Sequence, residues 1–484
     1  MSTSRRAFLR QAGCALGGAA LASTLTDFAL VNALAAQDAA LDAAADYRAL
    51  VCIFLNGGSD GNNMIVPLDA EYDAYSSVRA ASTLAIDRAA LLGVNTPPRI
   101  PRPFGFHPNM PEMRDLFNLG RVAVQCNVGP LVEPLTRATY QNGSGKRPYQ
   151  LFSHSDQVTQ WQNAVSQTLG QAGWGGRIAD RTGGLNGAAT FPQLVSIAGV
   201  SVFMTGNNTR PLAISDARTS LSSVLPLTMT LGPGDGIFPF TSDQVAARRV
   251  AFDQLRAIDH DAMLVKASGD LTTSALQTSQ ALSVNPTINT IFPNSTNNFD
   301  NLTGLAAQLL QVAKIIKLRD TLGMKRQIFF CSIGGFDSHN NQRGAGANTQ
   351  DSLLQQVSRA MKAFHDATVE LGVENSVTTF TISDFGRTLQ PAGSGAGVGS
   401  DHAWGNHQLM MGGAVRGGDF YGKFPTLALG GPDDADSRGR WIPTTSIEQY
   451  AATLATWYGL AATDVPLVFP FITRFSSPNL GFMF

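Results

Sequence analysis

Apolar residues recur along this chain in two rhythms. Unbroken runs such as "ALVCIFL" (49–55), "RVAVQCNV" (121–128), "QIFFCSI" (327–333) and "SVTTFTI" (376–382) read as strands buried on both faces. "PQLVSIAG" (192–199) is a further strand of the same kind. Between them the apolar positions fall three or four apart. Leu305, Leu309, Val312 and Ile316 make one helical stripe closing at Gly323, and Leu353, Val357, Met361 and Phe364 make another closing at Gly372. "NMPEMRDLFNLG" (109–120) is a third helical pattern, ending at Gly120. Helices alternating with doubly buried strands predict an α/β fold on a mostly parallel, doubly wound sheet with helices on both faces. Residues 205–300 break the alternation. They are rich in Ser, Thr, Asn, Gly and Pro around one helical stretch (243–268), and are expected to form a cap or insertion.

Length and composition set bounds. The 484 residues, 44% hydrophobic, allow one large domain or two or three modest ones. A net charge of −1 gives no general attraction to nucleic acid or anionic lipid, and no nucleic-acid motif is present. Cys14 precedes the expected fold. Cys52, Cys126 and Cys331 each sit in an apolar run, where a thiol acts as a small buried hydrophobe and not as half of a disulfide.

The N-terminus carries an address. "TSRRAFLRQ" sets Arg5 and Arg6 before a small apolar run, the form of a twin-arginine export signal, with cleavage expected near Ala35 or Ala36. The run is broken by Thr24, Thr26, Asp27 and Asn32 and is too short for a span. The expected parts are therefore a signal over 1–36 and a folded unit over 46–484. The twin-arginine translocase would be the partner during export, and the mature chain, with no transmembrane span, would be periplasmic or secreted.

Titratable residues gather where the strands end. Asp60 follows the first strand; Asp337 and His339 follow "IFFCSIGG"; Asp384 and Arg387 follow "TTFTIS"; Asp401, His402 and His407 come shortly after. In an open α/β sheet these loops lie along one edge, where ligands bind. Asp337 and His339, two apart in an extended segment, point the same way and can hold one ion. A carboxylate with an imidazole suits zinc, manganese or iron. Each residue alone is equally a cap or turn residue, and only their agreement speaks for a site. His154 stands between Ser153 and Ser155 at a helix start, where a nucleophile facing an anion could sit. His260 and His365 read as residues of solvated helix faces, and His107 as a cap or pocket wall. "GSGAGVG" (393–399) does not lead from a strand into a helix, and "DFG" (384–386) lacks the other parts of a kinase.

The motifs "LVCIFLNGGSDGNNMIVP", "FHPNM", "LFSHSDQ", "GWGGRIAD", "GGFDSHNNQ", "SDFGRT" and "SDHAWGNHQLMMGGAVRGGDFYGKFP", in that order, resemble the DUF1501 family. That family is grouped with the alkaline phosphatase-like superfamily, and the resemblance implies a two-metal hydrolase. By position Asp60, Asp337, His339, Asp384 and His402 resemble its metal ligands, with two divalent ions, zinc or manganese, as cofactors. Phe385 departs from the pattern, since superfamily members often have histidine there, and the sulfatase motif Cys-x-Pro-x-Arg is absent. The leading expectation is an exported metal-dependent hydrolase of a phosphate or sulfate ester on a small molecule or polymer. Ser153, Ser155, His154 and Arg387 would be its catalytic residues, Arg387 holding a non-bridging oxygen. The alternative is a catalytically inactive, metal-stabilised binding or assembly protein of the cell envelope.

Overall fold

A computed structural model of the chain describes residues 46–167, 170, 172–225, 250, 254, 263–293 and 302–484. The export signal, His260 and most of the 243–268 helical stretch lie outside these. Eleven strands frame the site: β1 (Arg48–Leu55), β2 (Val122–Gly129), β3 (Leu194–Ser196), β4 (Leu212–Ala213), β5 (Arg326–Ile333), β6 (Val377–Ser383), β7 (Arg387–Pro391), β8 (Ser400–His402), β9 (Asn406–Met411), β10 (Phe420–Tyr421) and β11 (Thr445–Ser446). The main sheet runs β10-β2-β9-β6-β1-β5-β3-β4, with β11 on β2. Every pairing in it is parallel except those of β9, which runs against both β2 and β6. β7 and β8 form a separate antiparallel ribbon that sets Arg387 opposite His402. The expected mostly parallel α/β sheet is present, with one strand reversed.

Strands with period-two side chains need cover on both faces. Leu50, Cys52 and Phe54 of β1 pack on one side with Trp161 of α2 (His154–Asn163), Trp174 of α3 (Trp174–Thr182) and Tyr450 of α7 (Ile447–Tyr458). Two further helices, α5 (Gly304–Lys317) and α6 (Gln350–Glu370), pack on each other, and α5 lies on β5; α1 (Pro111–Asn118) packs on α6, and α4 is Met263–Ala281. Thr303 and Thr349 cap α5 and α6 through their side chains. The three interior thiols are buried and unpaired. His365 corrects its solvated-face reading, since α6 buries it at 8% exposure. Among the described residues no helix is long and apolar enough to cross a membrane.

β1, β5 and β6 end level, with Leu55 paired to both Ile333 and Ser383. The loops that follow therefore leave side by side. Gly57, at φ +114°, makes this possible, because a Cβ there would stand 2.4 Å from the Asp337 backbone nitrogen.

One buried acid carries a pH prediction. Glu448, 2% exposed at the start of α7, accepts from the Phe471 N–H, and its other oxygen has no protein partner. Burial pushes its pKa up to about 8, against the pull of that amide and of Arg177 and Arg474. A carboxyl raised in the folded state contributes its full stability below its ordinary value near 4.5 and loses it as pH climbs toward 8. Glu448→Gln should remove that loss, roughly 5 kcal/mol. Thermal unfolding between pH 5 and 9 should show a flatter profile for the variant; parallel profiles would contradict the burial argument.

Candidate metal centre

Three imidazoles and one carboxylate meet beyond the ends of β5 and β6. His154 is the first residue of α2, Asp337 and His339 lie in the loop after β5, and His402 closes β8. His402 Nε2 stands 3.0 Å from His154 Nε2 and 2.9 Å from His339 Nε2. Asp337 Oδ1 lies 3.5 Å from His154 Nε2, 3.1 Å from His339 Nε2 and 3.6 Å from His402 Nε2. These five separations make two triangular faces that share the His402–Asp337 edge. Around a tetrahedral zinc with bonds of ~2.0–2.1 Å, ligand atoms stand about 3.3–3.4 Å apart. The His154–Asp337–His402 group fits three positions around such an ion, its ligand atoms all within 4.8 Å of one another, and His339 adjoins it through His402 and Asp337.

The outer contacts fix which nitrogen faces the centre. His154 Nδ1 bonds Asp384 Oδ2 at 2.7 Å, His339 Nδ1 bonds Asp401 Oδ1 at 3.2 Å, and His402 Nδ1 bonds the Phe152 carbonyl at 2.9 Å. An oxygen acceptor at each Nδ1 assigns that nitrogen the proton and leaves every Nε2 a lone pair. Lone pairs at these distances repel unless a cation stands among them.

Several details hold the arrangement. Phe152 takes φ +69°, a strained value for an aromatic residue, as it turns its carbonyl onto His402. Phe385 packs its ring 4.7 Å from that of His154 and 4.6 Å from that of His402, closing one side of the centre with carbon. The other side is open: the side chains of Asp337, His339 and His154 are 48%, 41% and 33% exposed, which admits a ligand. The Asp384 hydrogen bond raises the His154 pKa against the effect of burial. Burial lowers His402, helped by the neighbouring cations. For Asp337 and Asp401 burial pulls upward, but Arg387 and Arg438 respectively outweigh it and lower both.

The sequence-based assignments divide. Asp337, His339 and His402 converge, and His154, assigned to catalysis, joins them as a donor. Asp60 stands apart from the four. It is fully buried against Arg79 at 2.5 Å, and its oxygens also accept from Asn62 and Gln342, so it holds loops together and has no lone pair turned to the centre. Asp384 stands behind His154, one oxygen bonded to His154 Nδ1 and the other taking the Gly57 N–H at 2.9 Å. Arg387 is fully buried and donates to the carbonyls of Gly57, Gly58, Phe336 and Ser400 and to Asp337 at 2.7 Å, so it clamps loops. Ser153 Oγ donates to Asp156 at 2.6 Å and Ser155 Oγ to the same oxygen at 3.2 Å. His107 pairs with Asp351 at 2.9 Å, and His407 is buried against Phe424 with its pKa pushed down to about 3. The part played by Asp401 was missed; its place directly before His402 was the available signal.

Asp384→Asn should weaken metal affinity 10- to 100-fold while the chain still folds, because an outer acceptor orients the ring and raises its basicity. Competition with a chelator measures this, and unchanged affinity would remove Asp384 from the centre.

Residues 47–435 match the family described as "Protein of unknown function (DUF1501)". Among solved structures the chain is similar to Ps i-CgsB in complex with k-i-k-neocarrahexaose, at 9% identity over 89% of this chain and 77% of that one, with a TM-score of 0.34. It is also similar to the PsFucS1 sulfatase from Pseudoalteromonas sp., at 9% identity over 86% and 68% of the two chains, TM-score 0.32. A third similarity is to the C-terminal periplasmic domain of EcEptC from Escherichia coli in complex with Zn, at 11% identity over 86% and 83%, TM-score 0.29. Identities this low carry no residue roles across. No curated protein matches.

Proposed function

The chain belongs to the DUF1501 family, and we propose that it is an exported hydrolase of a phosphate or sulfate ester, dependent on one divalent transition-metal ion. His154, Asp337, His339 and His402 would hold that ion. The supporting observation is the convergence of three Nε2 lone pairs on Asp337 Oδ1, each ring fixed from behind, in a centre open on one side. One ion is favoured over two because Asp60 and Asp384 spend their oxygens elsewhere. When bound, such an ion polarises an ester oxygen and lowers the pKa of a water. The protein's own residues orient and shield: Asp384, Asp401 and the Phe152 carbonyl hold the rings, Arg387 holds Asp337, and Phe385 excludes water from one flank. Asp156, hydrogen-bonded to Ser153, is placed to take the proton of that hydroxyl.

A second reading is favoured by one observation. Arg387 and both serines already hold hydrogen bonds within the protein, so an attack or grip on an ester would have to break them. On that reading the ion stabilises an envelope binding or assembly protein. Metal-replete mature protein assayed on panels of phosphate and sulfate esters separates the two. Turnover that survives the combined Ser153→Ala and Ser155→Ala changes means attack by water, turnover that is lost means a serine, and none in wild type with metal bound favours the second reading. For the export proposal, replacing Arg5 and Arg6 by Lys should leave the protein inside the cell; undiminished export would refute the twin-arginine route.

A further inference from the structure

A row of arginines adjoins the centre on the Phe152 side. Phe152, Tyr140 and Phe471 are half-buried members of one hydrophobic cluster built around Trp404 and Phe475. Each carries a guanidinium on its ring: Arg440 over Phe152 at 4.5 Å, Arg147 over Tyr140 at 4.5 Å and Arg474 over Phe471 at 4.1 Å. Arg440 also donates to the His402 carbonyl at 2.9 Å, which joins this shelf to the metal centre. Arg440 is balanced by Asp436 at 2.8 Å and Arg438 by Asp401 at 2.5 Å. Arg147 and Arg474 are exposed and have no carboxylate within ion-pair distance among the described residues, and Lys146 is exposed beside Arg147. The shelf is therefore a local positive excess on a chain whose net charge is −1.

Arg147 and Arg474 each give one N–H to a main-chain carbonyl, those of Tyr140 and Val132, and Arg440 is spent on His402 and Asp436. The exposed remainder of Arg147 and Arg474, with Lys146 beside Arg147, offers separate cations that suit repeated anions better than a single one. The ring faces of Phe152, Tyr140 and Phe471 are already covered, so the bases of a nucleic acid single strand have no platform there.

We propose that this shelf binds a linear polymer bearing sulfate or phosphate groups on successive units. The proposal that it presents one unit's ester to the metal centre rests on the hydrolase reading above; the binding itself does not. The probe is fluorescent dextran sulfate, with neutral dextran and duplex DNA as comparisons, titrated against full-length mature protein by anisotropy at several salt concentrations. Wild type should bind dextran sulfate in preference to both. Arg147→Ala with Arg474→Ala should weaken it at least tenfold and flatten its salt dependence, because fewer counterions are exchanged, with metal content unchanged. Equal binding of dextran and dextran sulfate, an undiminished affinity in the double variant, or tighter binding of DNA would each overturn the proposal. If the polymer binds through these arginines while wild type releases no sulfate or phosphate from it or from any small ester, the hydrolase reading fails and the shelf stands.

Discussion

Replacing His402 with alanine is expected to abolish stoichiometric metal binding while the fold persists. His402 Nε2 is common to both triangular faces, so its loss breaks both. Loss of an outer acceptor alone costs 10- to 100-fold in affinity, so loss of the shared ligand should exceed 100-fold, or about 3 kcal/mol. The ring is partly exposed at the end of a short ribbon, and its removal frees only the Phe152 carbonyl. Metal analysis beside circular dichroism gives the answer. A folded variant that keeps its metal would place the ion elsewhere.

Arg387→Ala should instead damage the fold. Its guanidinium is fully buried and ties four backbone carbonyls and the Asp337 carboxylate into one joint beneath the loops after β1, β5 and β6. Removing it orphans those buried acceptors, at a cost of roughly 3–5 kcal/mol. Denaturant unfolding should show a large drop in midpoint together with loss of metal. Unchanged stability with weakened substrate binding would return Arg387 to the substrate-gripping role its sequence position suggested.

Particular residues show why the sequence was legible in some places and silent in others. β1, β5 and β6 announce themselves because a strand buried on both faces must be apolar throughout, and the level ends of those strands follow from parallel pairing. Asp337 and His339 were visible as a site because two residues in extended chain share a direction. His154 was not tied to them, since it reaches the centre from a helix start far along the chain, and nothing local distinguishes a ligand from a capping neighbour. Asp60 and Asp384 looked like ligands because a strand-end carboxylate has the same sequence appearance whether it faces an ion, Arg79 or an imidazole. For Arg387 the sequence is silent for the same reason: burial decides between clamp and grip, and burial is set by loops distant in sequence. The arginine shelf was invisible in the composition because Arg147, Arg440 and Arg474 are widely spaced in the chain and meet only through Phe152, Tyr140 and Phe471.

The most direct test of the central claim is native mass spectrometry of the mature chain, before and after chelation and reloading, beside a folded variant carrying His154→Ala, His339→Ala and His402→Ala together. One transition-metal ion per wild-type chain, removed by chelation, restored on reloading and absent from the variant, is the predicted result. Wild-type protein that takes up no ion under any loading condition, or a triple variant that retains it, would contradict the metal centre.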